Sequence, residues 1–309
     1  MHFKGLDLNL LVALDVLLTE RSITRAGERM HLSQSAMSSA LGRLREYFGD
    51  ELLVQTGRTM RPTPLAERLA VGVREVLLQV ETTIRTQPDF DPSNSTRHFR
   101  LLMSDYVSTV LLARLLPRLQ REAPGITLEV LPVSESPVAV LERGEVDFLV
   151  LPSQYLRVGP QSQVLLEDVF CCAAWAGNTR IGDSFTLERY LELGHVSLRF
   201  GGTVRTPALD EWFLGSLGHQ RRIEVVAPDF GSLPRLVVGT QRIATVPRRL
   251  LRYYARYLPL REWPLPVAMP PMCEVLAWHG LRDRDPAAVW LREAMTQEMA
   301  CADDGEEAS

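Results

Sequence analysis

Cysteine, lysine and long apolar runs are all scarce in this chain of 309 residues. The four cysteines are an adjacent pair, Cys171 and Cys172, and two isolated residues, Cys273 and Cys301, a pattern that fits neither a disulfide framework nor a CxxC metal site. No segment reaches the roughly 20 apolar residues of a membrane span, and the amino terminus lacks the pattern of a signal peptide. We therefore expect a cytoplasmic protein that uses no metal and no cofactor.

The sequence motifs of common enzymes are missing as well. The sequence contains no P-loop, no GxGxxG and no nucleophile elbow of a Ser-His-Asp triad. An enzyme hypothesis would have to use Asp105, His195 or Cys171 as nucleophile or base, and a histidine at the start of a strand is most often structural. We expect that the chain is not an enzyme.

The segment from Arg21 to Arg61 is the most informative part of the sequence. Ser22 can cap a helix that runs to about Met30, and Ser33 can cap a second helix that runs to about Phe48, because a serine hydroxyl accepts a hydrogen bond from the first turn of a helix. The two residues before Ser33 turn the chain between these helices. Helix-turn-helix proteins use this arrangement to place one helix in the major groove of DNA.

The second helix separates its apolar side chains from its polar ones. Met37, Leu41 and Leu44 recur at i, i+4 and i+7, which predicts one stripe that packs inward. The remaining surface of the helix and a hairpin wing centred on Gly57 carry hydroxyl, amide and guanidinium groups, which can contact base edges and phosphates. The residues predicted to contact DNA are Ser33, Gln34, Ser35, Ser38, Arg43, Arg45, Arg58 and Arg61.

Local charge favours this interpretation over the alternative that the two helices are only core packing in a helical domain. Residues 21–61 contain seven arginines and four acidic residues, a local charge of about +3 in a chain whose net charge is −4. A basic surface on an acidic protein is what binding to phosphates requires. For Arg58, at the tip of the wing, a solvated turn position is an equal alternative.

Two further features divide the rest of the chain. From Pro64 to about Arg85, apolar residues recur at near-heptad spacing, which predicts a long helix that pairs with its twin in a dimer. Residues 87–96 are rich in proline, aspartate, serine and asparagine, a composition typical of a hinge. Beyond the hinge, short apolar strands alternate with helices, which is the pattern of an α/β module.

Ligands of such modules bind beyond the carboxyl ends of the strands. The residues at these positions mix hydroxyls, acids and aromatic rings, as a small-molecule cleft does, although each of them alone is more often a turn or a helix cap. The residues predicted to bind a ligand are Ser104, Asp105, Tyr106, Ser134, Pro152, Phe200, Gly201, Thr203, Phe230, Val246, Pro247 and Arg249.

Over nearly its whole length the chain resembles the LysR-type transcriptional regulators. Within that family it is similar to the branch of nodulation-gene activators and salicylate-responsive catabolic activators. The segments that carry the resemblance include LSQSAMSSALGRLR from Leu32, RPTPLAERLA from Arg61, REAPGITLEVLPVS from Arg121 and RRIEVVAPDF from Arg221. Ser35 departs from the family, which usually has a proline there.

The resemblance implies an all-α winged helix-turn-helix domain, a long linker helix and a periplasmic-binding-protein-like α/β module of two Rossmann-like subdomains. The implied boundaries are 1–63 for the DNA-binding domain, 64–86 for the dimerisation helix, 87–96 for the hinge, 97–165 with 268–309 for one subdomain and 166–267 for the other. The implied partners are promoter DNA, further copies of the chain in a dimer and a dimer of dimers, a small aromatic inducer, and RNA polymerase.

For function, the resemblance implies a homotetrameric transcriptional activator. We expect its inducer to be a phenolic compound, chlorinated or not, and its target to be a catabolic operon. The inducer would close the cleft, change the packing between dimers and relax a DNA bend so that polymerase can engage. The alternative is a flavonoid-responsive activator of nodulation genes. An enzyme or an architectural DNA binder, which would show no ligand dependence, are the remaining alternatives.

Overall fold

A computed structural model of the chain describes residues 6, 8–57, 59–85, 90–134, 136–156, 160–182, 184–199 and 209–306. The chain divides into two compact units, Met1–Pro88 and Asp89–Ser309. Within the described residues, every helix is too short or too polar to cross a lipid bilayer.

The described part of the first unit is helical apart from one hairpin. Its elements are α1 (Leu8–Glu20), α2 (Ile23–Arg29), α3 (Gln34–Phe48), β1 (Leu53–Thr56), β2 (Thr59–Pro62) and α4 (Pro64–Arg85). The two strands pair antiparallel, with Thr56 opposite Thr59. Met37, Leu41 and Leu44 are buried against α1 in one apolar core, so the predicted inward stripe of α3 is confirmed.

The turn between α2 and α3 is tight because its residues are small or unusual in conformation. The Ser22 hydroxyl accepts the backbone N–H of Arg25, and the Ser33 hydroxyl accepts that of Ala36 at 3.1 Å, which confirms both predicted caps. His31 adopts a left-handed conformation with φ of 55°. A Cβ on Gly27 would lie 2.9 Å from the carbonyl oxygen of Leu32, so only glycine fits without a shift of the turn.

The apolar residues of α4 that were predicted to form one seam lie in two different environments. Val73 is buried in the core of the first unit, and Leu69 packs against that core. Val76 and Ile84, further along the helix, are 47% and 77% exposed. The first half of α4 therefore packs its seam residues into the core. In the second half Leu77 still packs against that core and Leu78 is buried, while Val76 and Ile84 present apolar surface.

The second unit contains two five-stranded sheets among its described residues. The first sheet has the order β4-β3-β5-β12-β6, in which β3 is parallel to β4 and β5, and β12 is antiparallel to β5 and β6. Its strands are β3 (His98–Leu102), β4 (Thr127–Leu131), β5 (Phe148–Pro152), β6 (Gln161–Asp168) and β12 (Met272–Trp278), and its helices are α5 (Asp105–Glu122), α6 (Pro137–Glu142) and α11 (Pro286–Glu306).

The second sheet repeats this plan with the order β11-β7-β10-β8-β9. Its strands are β7 (Phe170–Trp175), β8 (Gly194–Leu198), β9 (Arg222–Ala227), β10 (Ile243–Pro247) and β11 (Leu260–Trp263), and its helices are α7 (Leu187–Glu192), α8 (Leu209–Ser216), α9 (Ser232–Val237) and α10 (Arg248–Ala255). Two similar α/β layers in the second unit, which follows a helical first unit in the sequence, confirm the predicted fold class.

The chain passes from the first sheet to the second through one residue, Val169. The segment from Val164 to Trp175 is divided between the end of β6 and the whole of β7. At the break, the Asp168 carboxylate accepts the backbone N–H of Val169 at 2.8 Å. That N–H is therefore not available for a hydrogen bond to a neighbouring strand. The chain returns between β11 and β12.

One carboxyl group lies inside the core of the first sheet. On β12, Glu274 lies two residues after Met272 and two residues before Leu276. Because side chains alternate along a strand, Glu274 shares one face of β12 with these two core residues. Its side chain is buried, and burial raises its pKa from about 4.5 to about 8. At neutral pH the folded chain therefore holds Glu274 largely as a neutral acid.

The close turn at Gly27 gives a test of the helix-turn-helix packing. We expect Gly27→Ala to destabilise the first unit by about 1–3 kcal/mol, because the added methyl overlaps the Leu32 carbonyl. Gly42→Ala in α3 is the matched control: nothing lies within 4 Å of its Cβ, and alanine favours a helix by up to about 1 kcal/mol. Hydrogen exchange of peptides from α2 and α3 measures both. Equal protection in the two variants would contradict the close approach.

Glu274 gives a pH-dependent test of the second unit. Between about pH 4.5 and pH 8 the folded chain keeps a proton that the unfolded chain releases, so this group lowers the free energy of unfolding by up to about 1.4 kcal/mol per pH unit as the pH rises. In Glu274→Gln we expect this contribution to be absent, so that the free energy of unfolding falls less steeply with pH than in the parent, and we expect the stability at pH 8 to exceed that of the parent.

The measurement for Glu274→Gln is urea unfolding between pH 5 and pH 8, followed by tryptophan fluorescence. All five tryptophans lie between residues 175 and 290, so the signal reports the second unit. Glu293→Gln, at an exposed position of α11, is the control and should keep the parental slope. A parental slope in Glu274→Gln would overturn this account of the buried acid.

Candidate DNA interface and ligand cleft

The surface of α3 that is directed away from the core carries small polar residues. Ser35, Ser39 and Gly42 recur at i, i+4 and i+7, opposite the buried stripe, and all three are exposed. Gln34 and Ser38, exposed as well, flank this surface. Sequence analysis missed Ser39, although a helical wheel centred on the buried stripe identifies it. Small side chains here leave room for a helix to approach the base edges closely.

Two of the predicted DNA contacts have structural roles in the unit. Ser33 caps α3, and its hydroxyl also lies 2.9 Å from that of Ser35. The Arg45 guanidinium donates to the carbonyls of Glu51 at 2.9 Å and Leu53 at 2.8 Å, and pairs with the Glu51 carboxylate at 3.0 Å. Arg45 thus fixes the start of the wing relative to α3.

A second contact fixes the wing from its other end. The Asp50 carboxylate accepts the Thr63 hydroxyl at 2.6 Å and the backbone N–H of Leu52 at 2.7 Å, and these hydrogen bonds hold the pKa of Asp50 below its usual value. The Thr63 hydroxyl also caps α4 by accepting the N–H of Ala66. The wing is therefore tied to both α3 and α4.

Two arginines of this unit share one carboxylate. Arg29 pairs with Glu20 at 2.9 Å and Arg25 with the same carboxylate at 3.5 Å, which offsets part of the basic charge counted from the sequence. Arg43 on α3 and Arg61 on β2 are exposed. The predicted contact at Arg58 lies outside the described residues.

In the second unit, one carboxylate connects the two sheets. Asp105, at the start of α5, accepts the backbone N–H groups of Phe230 at 3.1 Å and Gly231 at 2.7 Å, which follow β9. The residues predicted to meet at the strand ends, Asp105 and Phe230, are thus in direct contact. A Cβ at Gly231 would lie 2.7 Å from the Tyr254 hydroxyl oxygen and 3.4 Å from an Asp105 carboxylate oxygen, so glycine lets the main chain come close to both side chains.

A buried polar group lies beside that contact. The Tyr106 hydroxyl donates to Asp168 at 2.8 Å, and the same carboxylate oxygen accepts the backbone N–H of Arg249 at 3.1 Å. Burial raises the pKa of Asp168, while the Tyr106 hydrogen bond opposes the rise. The ring of Tyr106 lies 5.7 Å from that of Phe230, which packs against the cores of both sheets.

Several predicted ligand contacts need correction. Tyr106 and Val246 have no exposed surface, and Pro247 is also buried in β10, so none of them presents a surface to a ligand in this conformation. Ser104 caps α5 by accepting the N–H of Val107, and Ser134 is exposed after β4. Pro152 ends β5 opposite Glu274. The positions Phe200, Gly201 and Thr203 lie outside the described residues.

The groups that an enzyme would need are not poised for catalysis. His195 is fully buried, its Nε2 lies 2.7 Å from the Tyr190 carbonyl, and burial lowers its pKa to about 4. Burial raises the pKa of the Cys171 thiol far above its usual value, which disfavours a nucleophilic thiolate. Among the described residues, no group of histidine, cysteine and acidic side chains could hold a metal ion.

Sequence reasoning also missed several buried polar groups of the second unit. Glu274 is an isolated acid within the apolar strand β12, which is the signal that could have identified it, whereas Asp168 follows Glu167 at the end of β6 and gives no such signal. In the second sheet, the Arg221 guanidinium pairs with Asp210 at 2.6 Å and lies 3.3 Å from the Thr245 hydroxyl. Both members of this ion pair are buried, which makes it a structural feature of the second sheet.

Comparisons with known proteins agree with the geometry of both units. Residues 8–67 match the model of the bacterial regulatory helix-turn-helix proteins of the lysR family. Residues 93–300 match the model of the LysR substrate binding domain. The second match alone covers more than half of the chain, and the two together include α3, the wing and both sheets.

Individual proteins are similar over nearly the full length. The chain is 44% identical to nodulation protein D 2 of Rhizobium tropici, with 96% of this chain and 94% of that protein covered. It is 43% identical to nodulation protein D 1 of a Bradyrhizobium strain, with 97% and 95% covered. A solved probable transcriptional regulator of Pseudomonas aeruginosa is 31% identical, covers 94% of this chain and 97% of its own, and superposes with a TM-score of 0.64.

These matches extend through the DNA-binding unit and the α/β unit alike, and they connect the chain to transcriptional regulators and not to enzymes. The chain belongs to the LysR family of transcriptional regulators.

Proposed function

We propose that this regulator is an activator that binds promoter DNA in the cytoplasm and is switched by a flavonoid in the cleft between its two sheets. The observation that supports the proposal best is the identity of 43–44% to nodulation proteins D over nearly the whole chain. This similarity favours the flavonoid alternative over the phenol-induced catabolic operon that sequence analysis placed first.

The proposed DNA contacts follow from exposure on α3. Gln34 and the serines of its outward surface can hydrogen-bond to base edges, while Arg43 and Arg61 supply charge to the phosphates. Ser33 and Arg45 act mainly by positioning, because their polar atoms cap α3 and connect it to the wing. We include Arg58 as a phosphate contact on the ground of its place in the wing alone.

The proposed assembly is a dimer formed through α4, and a dimer of dimers. Exposed Val76 and Ile84 give the second half of this helix an apolar surface that a twin helix can cover. Two copies then present two copies of α3, which suits an operator with half-sites one or more helical turns apart.

The proposed switch acts on the contact between Asp105 and the segment after β9. A polyphenol can donate hydrogen bonds to a carboxylate and stack on Phe230, so it can replace or reinforce the contacts that Asp105 makes with the N–H groups of Phe230 and Gly231. A differential affinity of a few kcal/mol between two arrangements of the sheets is sufficient to shift their populations. We propose that this shift changes how the assembly bends DNA and engages RNA polymerase.

The first experiment is DNase footprinting of the DNA that flanks the gene, with the full-length protein and four probes: luteolin, naringenin, salicylate and 3-chlorophenol. We expect a long protected region with two half-sites, and a change of its hypersensitive positions with a flavonoid only. A change with salicylate or the chlorophenol alone would replace the flavonoid proposal by the catabolic one. Protection that none of the probes changes would overturn aromatic sensing and leave the DNA-binding function intact.

A substitution tests whether α3 recognises bases. We expect Gln34→Ala to lower affinity for the footprinted operator by about 1–3 kcal/mol, or about 5- to 150-fold, because an amide that contacts a base edge is lost. Affinity for non-specific DNA should stay unchanged, since the phosphate contacts remain. Gln120→Ala, at an exposed position of α5, is the matched control. Equal losses on both DNAs would contradict base recognition by Gln34.

A further inference from the structure

Asp105 contacts the second sheet with the hydrogen-bonding pattern of a bound carboxylate ligand. Its two carboxylate oxygens accept two successive backbone N–H groups of the segment after β9, Oδ1 from Phe230 at 3.1 Å and Oδ2 from Gly231 at 2.7 Å. Successive N–H groups in a turn form a concave donor site that suits an anion, and here a side chain of the protein occupies it. Among the described residues, these two N–H groups are the hydrogen-bond donors to the Asp105 side chain.

The surroundings of these two donors also suit a carboxylate. Gly231 is buried, and a Cβ there would lie only 3.4 Å from Oδ2 of Asp105, so the absence of a side chain lets the anion come close to the main chain. Arg235 places a positive charge beside the same segment, because its Nε donates to the Gly231 carbonyl at 3.0 Å and its Nη2 lies 3.3 Å from the Ser232 hydroxyl. Close donors and a nearby guanidinium are what a carboxylate site requires.

The first sheet contacts the second sheet with another carboxylate in the same way. Asp168, at the end of β6, accepts the backbone N–H of Arg249 at 3.1 Å, but it is buried and also receives the Tyr106 hydroxyl. Asp105, by contrast, is only half-buried at the start of α5. Of the two carboxylates, Asp105 is therefore the one that an incoming group can reach and replace.

A further negative charge is unfavourable at this end of the first sheet. Glu274 pairs with Pro152, the last residue of β5, and β5 is parallel to β3, which leads into α5 and Asp105. Burial raises the pKa of Asp168, and it raises the pKa of Glu274 to about 8. An aromatic carboxylate that entered beside Asp105 would meet the same desolvation cost and the repulsion of the carboxylates already there. An uncharged hydroxylated ring avoids both penalties.

We propose that Asp105 is a built-in substitute for an acidic ligand: its carboxylate fills the position of an acid group, so the cleft accepts uncharged hydroxylated aromatic molecules and excludes aromatic carboxylates. This inference rests on the proposed function, in which the cleft binds an aromatic inducer, and adds the charge of that inducer. Loss of the Asp105 carboxylate leaves the N–H groups of Phe230 and Gly231 without their acceptor. A free carboxylate can then take its place, one negative charge for another.

The test uses two probes of nearly the same shape and different charge, benzoate and benzamide, in calorimetric titrations of the full-length protein at constant ionic strength. From the parent to Asp105→Ala we expect the Kd for benzoate to fall at least about tenfold, because two charge-assisted hydrogen bonds become available. The Kd for benzamide should change less than about threefold, because its neutral oxygen is a weaker acceptor. Glu293→Ala removes an acid at an exposed position of α11 and should leave both values as in the parent.

Asp105→Asn separates occupancy from charge. Asparagine still fills the position, so we expect this variant to exclude benzoate as the parent does. A Kd for benzoate as low as in Asp105→Ala, an equal gain for benzamide in Asp105→Ala, or no gain for benzoate would overturn the proposal. If Asp105→Ala is partly unfolded, its refolding by benzoate and not by benzamide, followed by tryptophan fluorescence, supports the proposal. Refolding by both probes or by neither contradicts it.

A titration of the parent with naringenin distinguishes this inference from the proposed function. Failure of naringenin to bind would overturn the flavonoid proposal, while the comparison of benzoate with benzamide would still decide the role of Asp105. Tighter binding of benzoate than of benzamide by the parent would overturn the charge selection, whatever the result with naringenin.

Discussion

The hydrogen bond from the Tyr106 hydroxyl to the Asp168 carboxylate is the interaction on which the second unit depends. One carboxylate receives the hydroxyl at the start of α5, the N–H of Val169 at the crossing between the sheets, and the N–H of Arg249 at the start of α10. Because the carboxylate is buried, each of these donors is needed to offset its desolvation. Loss of the carboxylate would leave three hydrogen-bond donors, from three different parts of the chain, without their acceptor.

A second carboxylate acts at the same boundary between the sheets. Asp105 and Asp168 both belong to the first sheet's side and accept backbone N–H groups of the second sheet's segments. Any group that competes for these N–H donors therefore changes the energy of the contact between the sheets.

The DNA-binding unit could be predicted from sequence because its determinants are local. A capping serine contacts an N–H three residues later, and the stripe of Met37, Leu41 and Leu44 spans two helical turns. Ser39 was missing from the predicted DNA contacts, although its position on the helix surface opposite that stripe follows from the same spacing. By contrast, the division of the α4 seam depends on which part of the helix meets the core of the first unit, and spacing along one helix does not contain that information.

The cleft was predicted less well because its geometry is non-local. Strand ends identified Asp105 and Phe230, but their contact joins residues 125 positions apart. Val246 was placed at a surface by its position in sequence, whereas the packing of α9 and β7 against β10 buries it. The segment through Val169 concealed a change of sheet, since strand-forming residues stand on both sides of it. Arg249 was predicted to bind a ligand, and its backbone N–H donates to Asp168, a contact between residues 81 positions apart that the sequence pattern does not contain.

The single-residue crossing at Val169 has a mechanical consequence. A single residue contributes only two soft backbone torsions. At this edge the two sheets can therefore rotate relative to each other but cannot slide past each other. The longer return between β11 and β12 must follow that rotation. The freedom of this joint is limited to those two torsions. Any rearrangement of the two sheets must therefore take place mainly as a rotation about Val169.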